Sequence, residues 1–285
     1  WKPSFFFKIE ILKKMISFSI WSMLEAISIW LTTWVDTLII GTVLSGYYLG
    51  IYKNSLSMVN SLLSVITASI APVLFSSLSR LQKDNVSFQN FFFKAQKMVA
   101  YFVLPLGVGI FLYSDLITYI MFGSKWLEAS PIIGVWALTS CVTIVFAHLN
   151  GEVFRAKGLP KLSFVVQIIH LVFLIPTCLI SVQYGFWSLV YARSFIRLQY
   201  IFVSMLAASF IIQFKIKNIL KNVMQPFIFT LLMTLFAIVL QQVSKSMIWS
   251  IISIIFCALF YLMLMVIFAK QEIKKTIQSV IREKN

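Results

Sequence analysis

Eight long apolar stretches constrain what this chain can fold into more than any other feature of its sequence. A helix needs about 20 mostly apolar residues to cross the hydrocarbon core of a bilayer. The stretches that approach or exceed this length are Met15–Leu44, Ile51–Leu78, Met98–Tyr113, Ile132–Phe154, Leu162–Val182, Phe186–Ile212, Val223–Gln241 and Met247–Ala269. None alternates as a strand would, and lipid admits only helices or closed barrels. The sequence therefore predicts an all-α polytopic membrane protein with eight transmembrane helices.

The composition excludes a soluble domain. Hydrophobic residues make up 60% of the chain and charged residues 12%, whereas soluble domains contain about 45–50% apolar and roughly 25% charged residues. The three cysteines, Cys141, Cys178 and Cys257, lie singly within apolar stretches, without Cys-x-x-Cys or Cys/His spacing. The sequence therefore predicts neither disulfides nor a metal site. It also lacks a nucleophile–base pair and a glycine-rich phosphate loop, so we expect no enzyme and no cofactor.

The distribution of basic residues predicts the orientation of the helices. The chain carries 24 Lys and Arg against 9 Asp and Glu, a formal net charge of +15. Nineteen of the basic residues lie in the N-terminal segment, in alternate loops and in the C-terminal tail. The opposite loops hold only Lys125 and Lys245, and the other three are Lys53, Arg193 and Arg197 within apolar stretches. By the positive-inside rule the basic side is cytoplasmic, which places both ends of the chain there. This asymmetry explains the net charge without a nucleic-acid partner.

Polar side chains form stripes along several of the predicted helices. Residues at i, i+4, i+7 and i+11 share one face of a helix. The candidates with such spacing are Glu25, Thr32 and Asp36 in the first stretch, Lys53, Ser57, Asn60 and Ser64 in the second, His170 in the fifth, and Arg193, Arg197 and Tyr200 in the sixth. A charged side chain at the bilayer centre costs about 2.5–3.5 kcal/mol on insertion scales. We therefore predict that the first, second and sixth helices line a hydrated cavity, with the last two helices packed outside it.

The cationic side chains in this cavity are predicted to bind an anionic headgroup. Arg193 and Arg197 lie one turn apart, and two guanidinium groups match a phosphate or diphosphate better than a single amine does. Lys53 is the third substrate-binding candidate. Glu25 and His170 are candidates for proton-linked steps during a transport cycle.

Each of these interpretations has a structural alternative. Glu25 can form a buried ion pair with one of the two arginines and so fix helix packing. Lys53 lies near the outer end of its helix and can extend to the membrane surface, while Asp36 can cap or pair near the same boundary. His170 can form an interhelical hydrogen bond. His148 falls off the polar face of the fourth helix and is not a candidate.

Three short motifs carry a resemblance to a known family. They are Trp34-Val-Asp36-Thr-Leu-Ile-Ile-Gly41, Leu49-Gly50-Ile51-Tyr52 and Gly123-Ser-Lys125-Trp126. In this order and at these distances, they resemble the Wzx-type flippases for O-antigen and other lipid-linked oligosaccharides. These flippases form the polysaccharide transporter family, within the larger group that includes MATE exporters and MurJ-type lipid flippases.

The resemblance implies an architecture for the chain. The family is described as two related six-helix lobes followed by two further helices, and eight helices with a cytoplasmic start match the second lobe and the final pair. On this basis we expect a cytoplasmic interfacial segment at 1–14, a six-helix transporter lobe at 15–212, two additional helices at 213–269 and a basic cytoplasmic tail at 270–285. The N-terminal lobe would then be missing, which agrees with a first residue, Trp1, that is not Met.

The resemblance also implies a function. A multi-pass protein of the bacterial inner membrane would move an undecaprenyl-diphosphate-linked oligosaccharide from the cytoplasmic to the outer leaflet by alternating access. Its partners would be the lipid-linked oligosaccharide, the bilayer, the missing lobe and the polymerase and glycosyltransferases of polysaccharide assembly. Three alternatives remain open: a MATE-like exporter of small cations, a membrane-embedded polysaccharide-assembly enzyme, and a scaffold that transports nothing. The first would favour a carboxylate-rich cavity, and the second would favour catalytic motifs in large outer loops.

Overall fold

The computed structural model describes residues 8–244 and 246–270 as a bundle of helices. The α-helices are α1 (Ile9–Val43), α2 (Gly46–Arg80), α3 (Asn85–Leu112), α4 (Ser114–Phe122), α5 (Ser130–Thr143), α6 (Leu149–Ala156), α7 (Pro160–Ser181), α8 (Phe186–Phe195), α9 (Arg197–Ile212), α10 (Ile216–Val243) and α11 (Met247–Phe268). Short 3-10 helices cover Ser124–Ala129 and Val182–Tyr184, and a π-helical turn covers Ile144–His148. In this part of the chain eight helical segments are long and apolar enough to cross a membrane, which confirms the predicted number.

Several helices begin earlier than the apolar stretches indicate. α1 begins at Ile9 and is continuous with part of the predicted interfacial segment, whose boundary after residue 14 stays a prediction. α2 begins at Gly46, α3 at Asn85 and α10 at Ile216, in each case ahead of the apolar residues. The apolar pattern marks only the part of a helix that lies in hydrocarbon, whereas backbone hydrogen bonding continues into the headgroup region. The predictions for residues 1–7 and 271–285 lie outside the described residues.

A side-chain cap explains the early start of α3. The Asp84 carboxylate accepts hydrogen bonds from the backbone N–H groups of Val86 and Ser87 at 3.0 and 3.2 Å. It also accepts one from the Ser87 hydroxyl at 2.6 Å. The Ser87 hydroxyl, followed by these N–H groups, lowers the pKa of Asp84 below its ordinary value of 3.8. Asp84 therefore satisfies backbone donors that would otherwise be unpaired at the helix start.

The helices pack so that the fourth membrane span lies at the centre of the lobe. This span, formed by α5, the π-helical turn and α6, contacts α2, α3, α7 and α9. α1 packs along α7 on one side, and α2 packs against α3, α5 and α6 on the other. α1 and α2 contact each other over a much shorter length. We call the region between α1 and α2, where the two helices share few contacts, the cleft.

The basic connections lie at one end of the bundle. Lys157, which follows α6, donates hydrogen bonds to the Gln82 carbonyl and the Asn85 side chain, both at 2.8 Å. These contacts join the α6–α7 connection to the α2–α3 connection. We call this the basic end; the other end carries the α1–α2 connection and is called the opposite end.

The last two helices pack outside the lobe, as predicted. α10 contacts α3 and α11, and a small apolar cluster joins the three helices. The Tyr261 hydroxyl of α11 donates to the Tyr101 carbonyl of α3 at 2.8 Å, and Ser253 donates to the Tyr113 hydroxyl at 2.9 Å. The exposed faces of α10 and α11 are apolar, as expected for helices that face lipid.

α3 and α5 approach each other closely at one glycine. A Cβ atom at Gly107 would lie 2.4 Å from Cβ of Cys141 and 3.0 Å from the Ala137 carbonyl oxygen. Such distances are shorter than van der Waals contact, so only glycine fits at this crossing.

Candidate functional site

A buried ion pair joins three helices near the opposite end. Arg193 of α8 donates from Nε to Oδ2 of Asp36 on α1 at 2.7 Å. The Tyr52 hydroxyl of α2 donates to the same oxygen at 2.8 Å, and Nη2 of Arg193 donates to the Thr32 carbonyl at 3.1 Å. Asp36 is 1% exposed and Arg193 is 5% exposed. This arrangement stabilises the contact of α1 with α2 and α8.

Two expectations about this ion pair are wrong. The arginine partner is Asp36 and not Glu25, because Asp36 lies level with Arg193 near the opposite end. The guanidinium group of Arg193 does not face an open hydrated cavity, because the carboxylate of Asp36 and the surrounding helices enclose it.

The other polar residues of the α1 stripe face α7 inside the lobe. The Ser163 hydroxyl donates to Oε1 of Glu25 at 2.5 Å, and Gln167 donates from Nε2 to the Thr32 hydroxyl at 2.6 Å. Glu25 is buried, and no lysine or arginine among the described residues forms an ion pair with it. The predicted stripe is therefore real, but it mainly holds α1 against α7.

Arg197 is buried without a carboxylate. Its guanidinium group donates to the Ser140 hydroxyl at 2.7 Å and to the Thr139 hydroxyl at 3.4 Å. It also lies 4.2 Å from the centre of the Trp136 ring, a cation–π contact. Trp136 in turn donates from Nε1 to Oδ1 of Asn60 at 3.0 Å. In the described part of the chain, a short series of contacts thus links this buried charge to α2.

The predicted polar stripe of α2 lies on the surface of the lobe. Ser57, Asn60 and Ser64 are all exposed, although they lie within a membrane span. Asn60 is about 21 Å from the start of α2 at 1.5 Å per residue. Its Oδ1 accepts the Trp136 hydrogen bond, and the same carboxamide carries two N–H donors.

Of the residues in this stripe, Lys53 lies nearest to the α1–α2 connection, which is at the opposite end of the bundle. Its Nζ is 3.7 Å from the centre of the Trp34 ring on α1, and its side chain is half-buried. Trp34 is exposed and lies 6.4 Å, ring to ring, from the exposed Trp30 one turn away. Lys53 therefore joins α1 and α2 across the mouth of the cleft between them.

His170 and Tyr200 lie together between α7 and α9. Nδ1 of His170 is 3.1 Å from Oε1 of Gln199, and its ring is 5.1 Å from that of Tyr200. His170 is buried. The structural alternative proposed for His170, an interhelical hydrogen bond, is therefore present, and its proton-linked role stays a prediction.

Sequence reasoning missed two residues of this region. Trp136 stacks on Arg197 and orients Asn60, but an apolar-looking tryptophan gives no signal in a search for polar stripes. His148 was excluded on α-helical spacing, yet its side chain is exposed. The π-helical turn that ends at His148 changes the helical register there, so α-helical spacing does not apply. Across residues 8–244 and 246–270, no group of three His, Cys, Asp or Glu is placed to hold a metal ion.

Comparisons with known protein sequences give a consistent result. A family model described as "Polysaccharide biosynthesis protein" matches residues 1–131. An uncharacterized membrane protein in the cps region of Klebsiella pneumoniae is 28% identical over 64% of this chain and 36% of its own length. The teichuronic acid biosynthesis protein TuaB of Bacillus subtilis is 26% identical over 83% of this chain and 49% of its own length. The lipopolysaccharide biosynthesis protein WzxC of Escherichia coli is 21% identical over 64% of this chain and 37% of its own length. The chain thus spans half or less of the length of these relatives.

Two solved structures share the fold. The lipid II flippase MurJ, in an inward closed conformation, superposes with a TM-score of 0.71 at 19% identity, over 95% of this chain and 57% of MurJ. A MOP superfamily transporter from Pyrococcus furiosus superposes with a TM-score of 0.59 at 14% identity, over 80% of this chain and 54% of the transporter. These findings confirm the resemblance seen in the sequence: the chain is similar to the Wzx-type polysaccharide flippases and has the helical fold of the MurJ and MOP-superfamily transporters.

Proposed function

We propose that this chain forms the second lobe and the terminal helix pair of a transporter in the bacterial inner membrane. The transporter moves an undecaprenyl-diphosphate-linked oligosaccharide from the cytoplasmic to the outer leaflet by alternating access. The basic end faces the cytoplasm, with both ends of the chain. A six-helix N-terminal lobe of the same protein covers the cleft between α1 and α2 and completes the transport path. The chain itself catalyses no reaction.

The exposed carboxamide of Asn60 carries this proposal. An amide that is transferred from water to an apolar medium without hydrogen bonds loses about 4–8 kcal/mol. Asn60 lies deep within a membrane span, and among the described residues its side chain forms one hydrogen bond, from Trp136 to its Oδ1. Its amide N–H groups and the neighbouring hydroxyls of Ser57 and Ser64 are suited to a water-filled path that carries sugars. The same surface is poorly suited to lipid.

The fold and the relatives' names support the choice of substrate. MurJ is named as a flippase of lipid II, and the curated relatives are named for the biosynthesis of teichuronic acid and lipopolysaccharide. Glycosyltransferases and a polymerase of polysaccharide assembly are the expected functional partners. A MATE-like exporter of small cations is less compatible with the structure, because the carboxylates of Glu25 and Asp36 are buried and face other helices of the lobe.

We assign the anionic headgroup to Lys53 and Arg197. Neither forms an ion pair with a carboxylate in the part of the chain that the structure describes. Arg193 is neutralised by Asp36 and so serves the packing of the lobe. Glu25 and His170 are the two candidates for proton-linked steps, and neither has a basic side chain as its hydrogen-bond partner among the described residues.

A transport assay tests this function. The full transporter that contains this chain is reconstituted in proteoliposomes with a fluorescent undecaprenyl-diphosphate-linked oligosaccharide, and an impermeant quencher reports which leaflet the lipid occupies. We expect Asn60→Leu and Lys53→Gln to slow flipping at least about tenfold, equivalent to about 1.4 kcal/mol. Lys125→Gln, which removes an exposed lysine outside the cleft, is the matched control. Flipping that is absent in the unchanged protein, or unaffected by both cleft substitutions, would contradict the proposal.

Thiol labelling tests the hydration of the cleft without a substrate. Cysteine introduced as Ser57→Cys or Ser64→Cys is expected to react with a membrane-impermeant maleimide, whereas Leu235→Cys on the exposed apolar face of α10 is not. The three native cysteines are buried and should contribute little background. Equal protection of all three introduced thiols would show that the α2 face is not hydrated.

A further inference from the structure

Two exposed tryptophans of α1 lie well inside a membrane span. Trp30 is 55% exposed and Trp34 is 38% exposed, and their ring centres are 6.4 Å apart. At 1.5 Å per residue they lie about 20 and about 14 Å from the end of α1 at Val43. Tryptophan in membrane proteins is enriched at the membrane–water interfaces, where its N–H group reaches water. The usual interfacial role therefore does not account for this pair.

The contact with Lys53 shows which way the pair faces. Nζ of Lys53 on α2 lies 3.7 Å from the centre of the Trp34 ring, so this ring is directed toward α2. Trp30 lies one turn away on the same face of α1. Because α1 and α2 share few contacts, and both rings remain exposed, α2 does not cover them. The two tryptophans therefore form one wall of the cleft.

The polar stripe of α2 forms the other wall. Lys53 and Trp34 lie at the same level of the bundle, and from there α1 and α2 both extend toward the basic end. Along α1, Trp30 is about 6 Å from Trp34. Along α2, Ser57 is about 6 Å from Lys53, and Asn60 is about 5 Å further. The exposed side chains of Ser57 and Asn60 therefore begin at the level of Trp30.

The two walls together have the chemistry that a sugar ring requires. A pyranose has an apolar face of C–H groups, which carry a partial positive charge and are attracted to the electron-rich face of an indole. Its rim of hydroxyls needs hydrogen-bond donors and acceptors, and the carboxamide of Asn60 and the hydroxyl of Ser57 offer both. A lipid tail suits the rings but leaves the carboxamide without a partner, and a bare phosphate does not use the rings. A sugar suits both walls.

We propose that Trp30 and Trp34 stack on pyranose rings of the lipid-linked oligosaccharide while the polar stripe of α2 binds their hydroxyls. This inference rests on the proposed function and adds a site for the sugar part of the substrate. Lys53 is a positioning residue for this site, because its cation–π contact fixes the Trp34 ring. The tryptophan pair makes the path selective for the glycosylated lipid over undecaprenyl diphosphate alone.

Lipid binding to the full transporter tests the stacking, with native mass spectrometry as the measurement. Trp30→Leu and Trp34→Leu are each expected to lower the affinity for the undecaprenyl-diphosphate-linked oligosaccharide at least about fivefold. The affinity for undecaprenyl diphosphate, which carries no sugar, should change less than about twofold. Trp30→Tyr retains an aromatic face and should keep most of the affinity for the glycosylated lipid.

A matched control separates the site from a general effect of aromatic residues. Phe202→Leu removes an exposed aromatic ring of α9, outside the cleft, and should change neither affinity. Thermal unfolding checks that all variants are folded. Equal losses for the two lipids in the leucine variants, or a tyrosine variant as weak as the leucine variant, would remove the rings from sugar recognition.

Thiol protection provides a second measurement. The thiol of Trp30→Cys is expected to react with a membrane-impermeant maleimide, and the lipid-linked oligosaccharide should protect it, whereas undecaprenyl diphosphate should not. A thiol that does not react would show that this face of α1 meets lipid. A reactive thiol that both lipids protect equally, or that neither protects, would show that no sugar binds there.

Failure of this inference is distinguishable from failure of the proposed function. Each contradicting result can occur while the unchanged transporter flips the lipid-linked oligosaccharide and the thiol of Ser57→Cys is labelled. In that case the substrate crosses through a hydrated cleft, but the two tryptophans do not hold its sugars.

Discussion

The ion pair between Asp36 and Arg193 allows the sharpest test of how the lobe is held together. Among the described residues, Asp36→Leu leaves the buried Arg193 guanidinium with the Thr32 carbonyl and the Trp136 ring but no anionic partner. Arg193→Met leaves the Asp36 carboxylate with hydrogen bonds from Tyr52 and Thr37 but no cationic partner. Because Arg193 is 5% exposed and Asp36 is 1% exposed, water cannot replace the lost partner. Removal of one member of a buried pair costs about 3–5 kcal/mol. We expect each single substitution to lower the free energy of unfolding by this amount.

The double substitution separates the pair from its surroundings. If the two single effects were independent, Asp36→Leu with Arg193→Met would cost about 6–10 kcal/mol. We expect less than about 2 kcal/mol instead, because apolar side chains of similar volume often replace a buried ion pair without loss of stability. The expected coupling energy is therefore at least about 4 kcal/mol. Tyr52→Phe, which removes one hydrogen bond to the carboxylate, should cost about 1 kcal/mol.

The assay is reversible unfolding in mixed micelles of increasing SDS fraction, followed by tryptophan fluorescence and far-UV circular dichroism. Thr33→Val, an exposed position of α1 whose hydroxyl bonds only within its own helix, is the control and should change little. Additive single effects in the double variant, or single effects below about 1 kcal/mol, would refute the reasoning that the pair is enclosed and water-free.

Three further predictions use the same unfolding measurement. Gly107→Val should lower the free energy of unfolding by about 1–3 kcal/mol or more, because the added side chain would clash with Cys141. Gly109→Val is the control and should change it little, because a Cβ at Gly109 would meet no neighbouring atom within 4 Å. Equal effects of the two substitutions would contradict the close α3–α5 crossing. Asp84→Asn should lower the free energy of unfolding at neutral pH and leave it unchanged in acid. The pKa of Asp84 in the folded protein lies below the ordinary value of 3.8, so the carboxylate contributes its full stabilisation above pH 3.8 and loses it as the pH falls through the folded pKa. Gln96→Leu should cost about 1–3 kcal/mol by leaving a π-turn carbonyl unpaired; an unchanged midpoint would contradict this role.

The number and approximate positions of the helices could be predicted because they follow from hydropathy alone. The uneven distribution of basic residues between the loops could also be predicted, because this distribution, like hydropathy, is a sum over many residues. Helix starts were less predictable. The start of α3 at Asn85 depends on the Asp84 cap, and polar residues ahead of an apolar stretch give no hydropathy signal.

The candidate residues were found largely because polar residues within apolar helices are few. Asp36, Arg193 and Arg197 could be identified from spacing, since each is costly in hydrocarbon. Spacing could not decide which acid meets which base, because Glu25 and Asp36 lie on the same face of α1. The relative height of α1 and α8 in the bundle decides it, and that height depends on packing between helices that are distant in sequence.

The sequence by itself determined an eight-helix membrane protein with polar residues on particular helix faces and basic residues at one end. The tertiary structure alone decided that Arg193 pairs with Asp36, that Arg197 has no carboxylate partner among the described residues, and that His148 is exposed. The physical reason is that spacing along the sequence predicts which residues share a helix face only where the number of residues per turn is constant. The π-helical turn changes that number, and it exists because side chains of α3, α6 and α9 converge on its carbonyls.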